Sequence, residues 1–211
     1  MAYQLTARQL YCLGKLLKAQ YLEYTYISAV EQLLDTFENY ENEIRDELIG
    51  KGYVFEDFSG EISVNNDIKE ILTPVFFSAK EASVDVCTFG ENENLQINRI
   101  HIMDDKTVLV ENEEDHFKLG YVDQDDVMKI IERIIPEEYS AEDAPEISAF
   151  EAEKISEMIT VKTSDPEDKC VTKTYVMMGN YLYQETEEDQ ISVMTREEFI
   201  NDAKAILTEV I

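Results

Sequence analysis

The 211-residue sequence has no tryptophan and only seven glycines, four prolines, three cysteines and two histidines. So little glycine and proline leaves scant material for flexible linkers, and the chain is expected to be compact. The three cysteines, Cys12, Cys87 and Cys170, are odd in number, far apart and not at zinc-ligand spacing. They are expected to be reduced, mostly buried thiols of a cytoplasmic protein. No segment approaches the ~20 apolar residues of a membrane span, and Met1-Ala2-Tyr3-Gln4-Leu5-Thr6 has neither the charged nor the apolar region of a signal peptide. Positive charge is the largest deficit, with 18 Lys and Arg against 46 Asp and Glu and a formal net charge of -28. Binding a polyanion requires a basic footprint, so nucleic acid is excluded as a direct partner and anionic membranes are disfavoured. The surplus acid favours solubility and suits a sticky or basic protein partner.

What is present is enough apolar material for a core, 44 % of residues, arranged in short runs. Helix starts are marked by a hydroxyl residue followed three positions later by Glu or Gln, the capping box. Thr6 with Gln9 precedes the apolar face Leu10, Leu13, Leu17, and Ser28 with Glu31 precedes Val30, Leu33, Leu34 and Phe37. The second helix is expected to continue through Ile44 and Leu48 and to stop at Gly50 or Gly52. Beyond the turn Phe58-Ser59-Gly60, a short run 61–64 leads to Ile68, Ile71, Leu72 and Val75 at helical spacing, with Pro74 expected to end or kink that helix.

From Ala82 the period changes. Runs 84–89, 95–103, 107–111 and 117–122 read as four antiparallel strands in a meander, followed by a helix from Asp123 that Pro136 stops. The acidic stretch 137–148 reads as a linker. After Ser148 with Glu151, which should cap a short helix or turn, come strand-like runs 158–163, 169–178, 181–185 and 190–194. Thr195 with Glu198 then opens a last helix on Phe199, Ala203, Ile206 and Leu207.

The same series thus occurs twice. Glu113-Glu114-Asp115 reappears as Glu187-Glu188-Asp189, an offset of 74, and Val127 and Ile134 match Phe199 and Ile206 at an offset of 72. The expected architecture is α+β: one domain over 1–211, an antiparallel sheet from two units at 84–135 and 158–207 related by a pseudo-two-fold axis, and an N-terminal helical region at 5–78.

Chemistry is sparse. His101 falls in a strand and His116 beside an acidic turn, neither with a nucleophile to activate. The carboxylate clusters at 111–115, 123–126 and 185–189 lack the ligand spacing and central glycine of a calcium loop. Gly50-Lys51-Gly52 is too short for a phosphate loop and follows a helix. We therefore expect no catalytic residue, metal or cofactor. The run 173–183 makes both faces of a hairpin apolar, so it is either buried between layers or offers one face to a partner. Taken as the partner face, it nominates Tyr175, Met177, Tyr181 and Tyr183, together with the strand turn Asp104-Asp105-Lys106.

The sequence also resembles a family, the EspG-like chaperones of type VII secretion in Gram-positive bacteria. The resemblance runs through Leu5-Thr6-Ala7 with Leu10, Leu13 and Leu17, then Leu48-Ile49-Gly50-Lys51-Gly52-Tyr53-Val54. It continues in Ile62-Ser63-Val64-Asn65-Asn66-Asp67-Ile68 with Ile71-Leu72, and in Ile134-Ile135-Pro136. It departs at Lys51-Gly52-Tyr53, where the family has Arg-Gly-Leu, and in being shorter and more acidic. The resemblance implies an antiparallel sheet with helical bundles, and a cytoplasmic, non-enzymatic chaperone that holds a helical region of a secreted substrate before export. A Firmicutes-type member with LXG- or WXG-like or toxin substrates is the expectation. The competing expectation from charge alone is an immunity protein or nucleic-acid mimic that covers a basic toxin or nuclease.

Overall fold

The computed structural model describes residues 2–19, 37–90, 93–113, 116–165, 170–186 and 190–211, with side chains of the second stretch described from 42 onward. In chain order the elements are β1 (Ala2–Thr6), α1 (Ala7–Leu16), α2 (Phe37–Gly50), β2 (Val54–Glu56), β3 (Ile62–Val64) and α3 (Asn66–Phe77). Then come β4 (Lys80–Thr88), β5 (Asn94–Met103), β6 (Lys106–Glu113), β7 (His116–Tyr121) and α4 (Gln124–Ile134). A short 3-10 turn (Ala152–Lys154) precedes β8 (Ile155–Ser164), β9 (Cys170–Met178), β10 (Tyr181–Glu185), β11 (Ile191–Val193) and α5 (Arg196–Thr208). The class is α+β with antiparallel pairing throughout. The helix start expected at Ser28 lies outside the described residues, while its continuation through Ile44 and Leu48 is α2, which ends at Gly50; positions 114–115 and 187–189 of the turns that align the repeat also lie outside.

Two compact units form, Met1–Ser78 with Met103–Tyr121, and Ala79–Ile102 with Val122–Ile211. The runs 84–135 and 158–207 each hold four strands and a helix in the same order, but the first run is shared between the two units. The 5–78 region is mixed, carrying three strands beside its described helices. β1 and β2 escaped the periodicity search because each offers a single buried residue, Leu5 and Val54.

In the first unit the capping box of α1 forms as read, with Gln9 N donating to Thr6 Oγ1 and Thr6 N to Gln9 Oε1, both at 3.2 Å. Gln9 is buried, so its amide needs further partners. Lys51 Nζ donates to Oε1 at 3.1 Å and Gln9 Nε2 donates to Glu47 Oε2 at 3.0 Å, which ties the start of α1 to the end of α2. Gly52, at φ +71, turns the chain into β2, and Asn65 closes the turn from the other side by donating from Nδ2 to Gly52 O at 3.0 Å. Pro74 does not end α3, which runs on to Phe77. A proline this near the C-terminus removes one helical bond, and burial of Val75 and Phe76 offsets that loss. Leu5, Leu10, Leu13, Leu48, Ile71 and Leu72 pack with Val108, Val110 and Leu119 of β6 and β7.

The second unit is a six-stranded sheet in the order β5-β4-β8-β9-β10-β11. Ala82, Val84, Ile100, Ile159, Val161, Tyr175 and Leu182 alternate onto one face and are buried. Helix α5 packs here through Phe199, Ala203, Ile206 and Leu207. Its capping box at Thr195 and Glu198 forms as expected. Arg196 in its first turn donates to the carbonyls of Ile135 (2.9 Å) and Glu132 (2.7 Å), satisfying the end of α4 where Pro136 prevents another turn. Ser148 does not cap the following turn; Glu151 holds that place without a side-chain bond.

The ring of Phe199 lies 4.9 Å edge-on from that of Tyr175, and both are fully buried. Phe199→Ala is expected to cost about 3–5 kcal/mol in urea unfolding. A loss below 1 kcal/mol would show that α5 is not a principal cover of the sheet.

Candidate protein-binding face

Strand pairing across the second unit aligns one row of side chains on the face opposite α5. Leu95, Cys87, Met158, Val176, Tyr183 and Val193 are direct neighbours in successive strands. Coverage of this row is uneven. Val176 and Tyr183 are buried under Ile147 and Phe150, with Met178, Ile155 and Tyr181 packed beside them. Leu95 is 48 % exposed, Met158 36 %, and Phe89, one residue beyond β4, 41 %. A bulge at Ser156 places both Ile155 and Met158 on this face, and Ser156 O accepts from Phe89 N at 2.8 Å, which fixes Phe89 beside Met158. The result is an apolar platform of Phe89, Leu95, Cys87 and Met158, open at one end and roofed at the other.

The roof is the stretch 137–150. The part expected as a linker, 137–148, has no regular structure and is tied down. Tyr139 Oη donates to Met194 O and accepts from Leu182 N, each at 2.9 Å, and so stands between the ends of β10 and β11. Tyr183 Oη donates to Pro145 O at 3.1 Å. Burial pushes both phenols up from their ordinary value, so they remain neutral donors.

The nominated hairpin residues separate. Tyr175 and Met177 lie on the α5 side, Tyr181 and Tyr183 on the roofed side, because alternate residues of a strand face opposite ways. Tyr175 is fully buried, with Oη donating to Asp202 Oδ2 at 2.8 Å, and Lys173 Nζ lies 2.6 Å from the same oxygen. Burial and then the Asp202 carboxylate push the Tyr175 phenol far up. Tyr175 and Tyr183 are therefore core in this arrangement, Met177 and Tyr181 are half-buried, and no single surface contains all four. Asp104, Asp105 and Lys106 are exposed on the β5–β6 turn, Asp104 at φ +55, and Lys106 Nζ lies 3.4 Å from Glu70 Oε2. That hydrogen bond raises the lysine pKa.

His101 is buried with Nδ1 3.3 Å from Glu81 Oε1, and His116 Nε2 lies 3.1 Å from Glu113 Oε2. Burial acts to raise the Glu81 carboxyl, but the hydrogen bond and charge of His101 outweigh it and hold the group below its ordinary value. Among the described residues no three His, Cys, Asp or Glu side chains gather as a metal site. Cys170 is exposed and the other two cysteines are half-buried, so the expectation of mostly buried thiols is corrected. Phe89, Leu95 and Met158 went unnominated because only strand register puts them together.

No protein-family model matches the sequence, and no curated protein matches it. The structure is similar to that of the Mycobacterium tuberculosis type VII secretion system chaperone EspG5, solved in complex with a PE25-PPE41 dimer. The TM-score is 0.59 at 9 % identity, over 100 % of this chain and 97 % of that one. The fold is therefore EspG-like along its whole length. Among the described residues, no helix is long and apolar enough to cross a membrane.

Two measurements check this geometry. Tyr139→Phe leaves Leu182 N and Met194 O without their bridge and is expected to cost about 1–3 kcal/mol, with faster amide exchange at Leu182; unchanged exchange there would remove the tether. The lowered Glu81 pKa stabilises the fold above the carboxylate's ordinary pKa, and this contribution fades as pH falls through the folded value. The stability gap between wild type and Glu81→Gln should thus shrink as pH falls below ~4; a gap that persists unchanged there would refute the pairing.

Proposed function

We propose that this protein is a cytoplasmic chaperone or adaptor of type VII secretion, holding a helical region of a secreted substrate soluble before export. The carrying observation is the open apolar platform of Phe89, Leu95, Cys87 and Met158, on a chain whose fold matches that of a secretion chaperone from end to end. Contiguous apolar surface of this kind marks sites for other proteins, and a flexible methionine suits partners of varied shape. An amphipathic helix fits because the platform is flat and wide across three strands, and such a helix presents anchors three and four residues apart. LXG- or WXG-like proteins or toxins of a Firmicutes-type system are the substrates this reading names. Descent of 84–135 and 158–207 from one duplicated unit accounts for their shared order of elements. A binding rather than catalytic role belongs to this reading, since His101 is 1 % exposed and so closed to a substrate.

Co-expression with small helical secreted proteins from neighbouring genes tests the proposal. A complex is expected that survives ~0.5 M NaCl, where exposed charge pairs are screened, and that Leu95→Glu combined with Met158→Glu disrupts. A complex that dissociates with salt and ignores both substitutions would instead favour capture of a basic toxin or nuclease by the acidic surface.

A further inference from the structure

We propose that the outer edge of β11 takes an extended peptide of alternating apolar and basic residues, as an added antiparallel or parallel strand. This site goes beyond helix capture and stands independently of it.

The hydrogen-bond parity of β11 sets the argument. Thr186 N donates to Gln190 O at 2.7 Å and Met194 N to Leu182 O at 2.8 Å, while Ser192 stands opposite Gln184. Even-numbered residues therefore bond toward β10, and the N–H and C=O groups of Ile191 and Val193 point away from it. β11 is the last strand of the sheet in that direction. Natural edges are blunted by shortness, lysine, proline or a bulge; β11 is short but carries none of the other three, reading Ile191, Ser192, Val193 with Val193 39 % exposed.

Beyond this edge lies a groove of about 570 Å³, lined by Gln190, Ile191, Ser192 and Val193 on one side and the 144–148 segment on the other, with Tyr183 also contributing. The far wall is kept from closing the edge itself. Pro145 has no N–H to offer a ladder, and its carbonyl is held by Tyr183 Oη. The groove is thus a slot between a strand edge and a pinned wall.

Charge selects the occupant. Among the described residues that line the groove, Glu146 is the one carboxylate and none is Lys or Arg, and Glu185 stands exposed where β10 meets β11. A second copy of the chain, itself at -28, would be repelled, whereas a cationic peptide is attracted. Glu185 stands opposite Ile191, so one face holds Ile191, Val193 and that carboxylate; alternate Lys or Arg of an added strand would lay their stems on the two apolar side chains and reach the carboxylates with their charged ends, with apolar residues between them. The three residues of β11 span roughly 10 Å, which pairs with about three residues of an added strand.

The probe is a fluorescein-labelled Lys-Val-Lys-Val-Lys-Val peptide, followed by anisotropy against the intact protein, with two forms N-methylated at alternate positions. One methylated register should lose about tenfold or more in affinity and the other should bind as the parent does, because only one set of peptide N–H groups faces β11. Amide exchange at Ile191 and Val193 should slow on binding. Val193→Pro removes an outward N–H without touching a bond to β10 and should abolish binding; Ile191→Lys, which leaves the backbone unaltered, should weaken it about tenfold. Absence of an anisotropy change overturns the proposal. So do equal affinities of the two methylated forms, which would mean charge attraction alone, or a dimer of the protein that Ile191→Lys dissolves.

Discussion

Six antiparallel strands present two faces, and α5 covers only one of them. That imbalance governs the second unit. On the α5 side alternation is followed strictly, and Tyr175 even brings its hydroxyl inside because Asp202 is there to accept from it. On the opposite face the irregular stretch 137–150 reaches Val176 and Tyr183, and Ile97, Ser83 and His101 are buried toward the other end, but Met158 and Leu95 between them stay exposed. Apolar side chains of this size do not remain in water without cost, each exposed methylene forgoing about 0.8 kcal/mol of burial. Their persistence as a contiguous row, rather than as scattered residues, is what marks the face as a site.

The acidic surplus shapes the same unit by making cations scarce. Four of those present tie elements together: Arg196 to the end of α4, Lys204 Nζ 2.6 Å from Glu132, Lys173 on Asp202, and Arg99 Nη1 against both oxygens of Asp85. Exposed pairs contribute little individually, so their value is in register and orientation. The half-buried Arg99 and Asp85 pair matters more, because it occupies the open face next to the platform and limits how far apolar contact extends there. A partner's apolar stripe would be bounded by that pair on one side and by the roof on the other.

Much of this was legible in the sequence. The boxes at Thr6 and Thr195 announce their helices because capping is local chemistry, settled within four residues. The strands of the sheet followed from period-two alternation, while the two-sided apolar character of 173–183 left burial or a partner face open, and Tyr175 and Tyr183 are buried on opposite faces. What could not be read was which residues stand beside one another across strands, and the platform depends entirely on that register. The stretch 137–148 read as a linker because its ties are two tyrosine hydroxyls and a proline carbonyl, reaching partners 38 to 55 positions away. Such contacts leave no periodic trace.

That stretch then has two consequences for one segment. By lying over Tyr183 it closes one end of the apolar row, and by standing off from β11 it forms the wall of the groove. Both depend on Tyr183, whose ring is the floor of the roofed part while its hydroxyl holds Pro145 in place. A shift of the segment toward β11 would narrow the groove and uncover Val176, whereas a shift over the sheet would do the reverse. The Tyr139 bridge lies at the head of the segment and restrains both movements by holding the Leu182 amide and the Met194 carbonyl together. Two hydroxyl groups therefore hold in place the one segment that bounds both the apolar row and the groove.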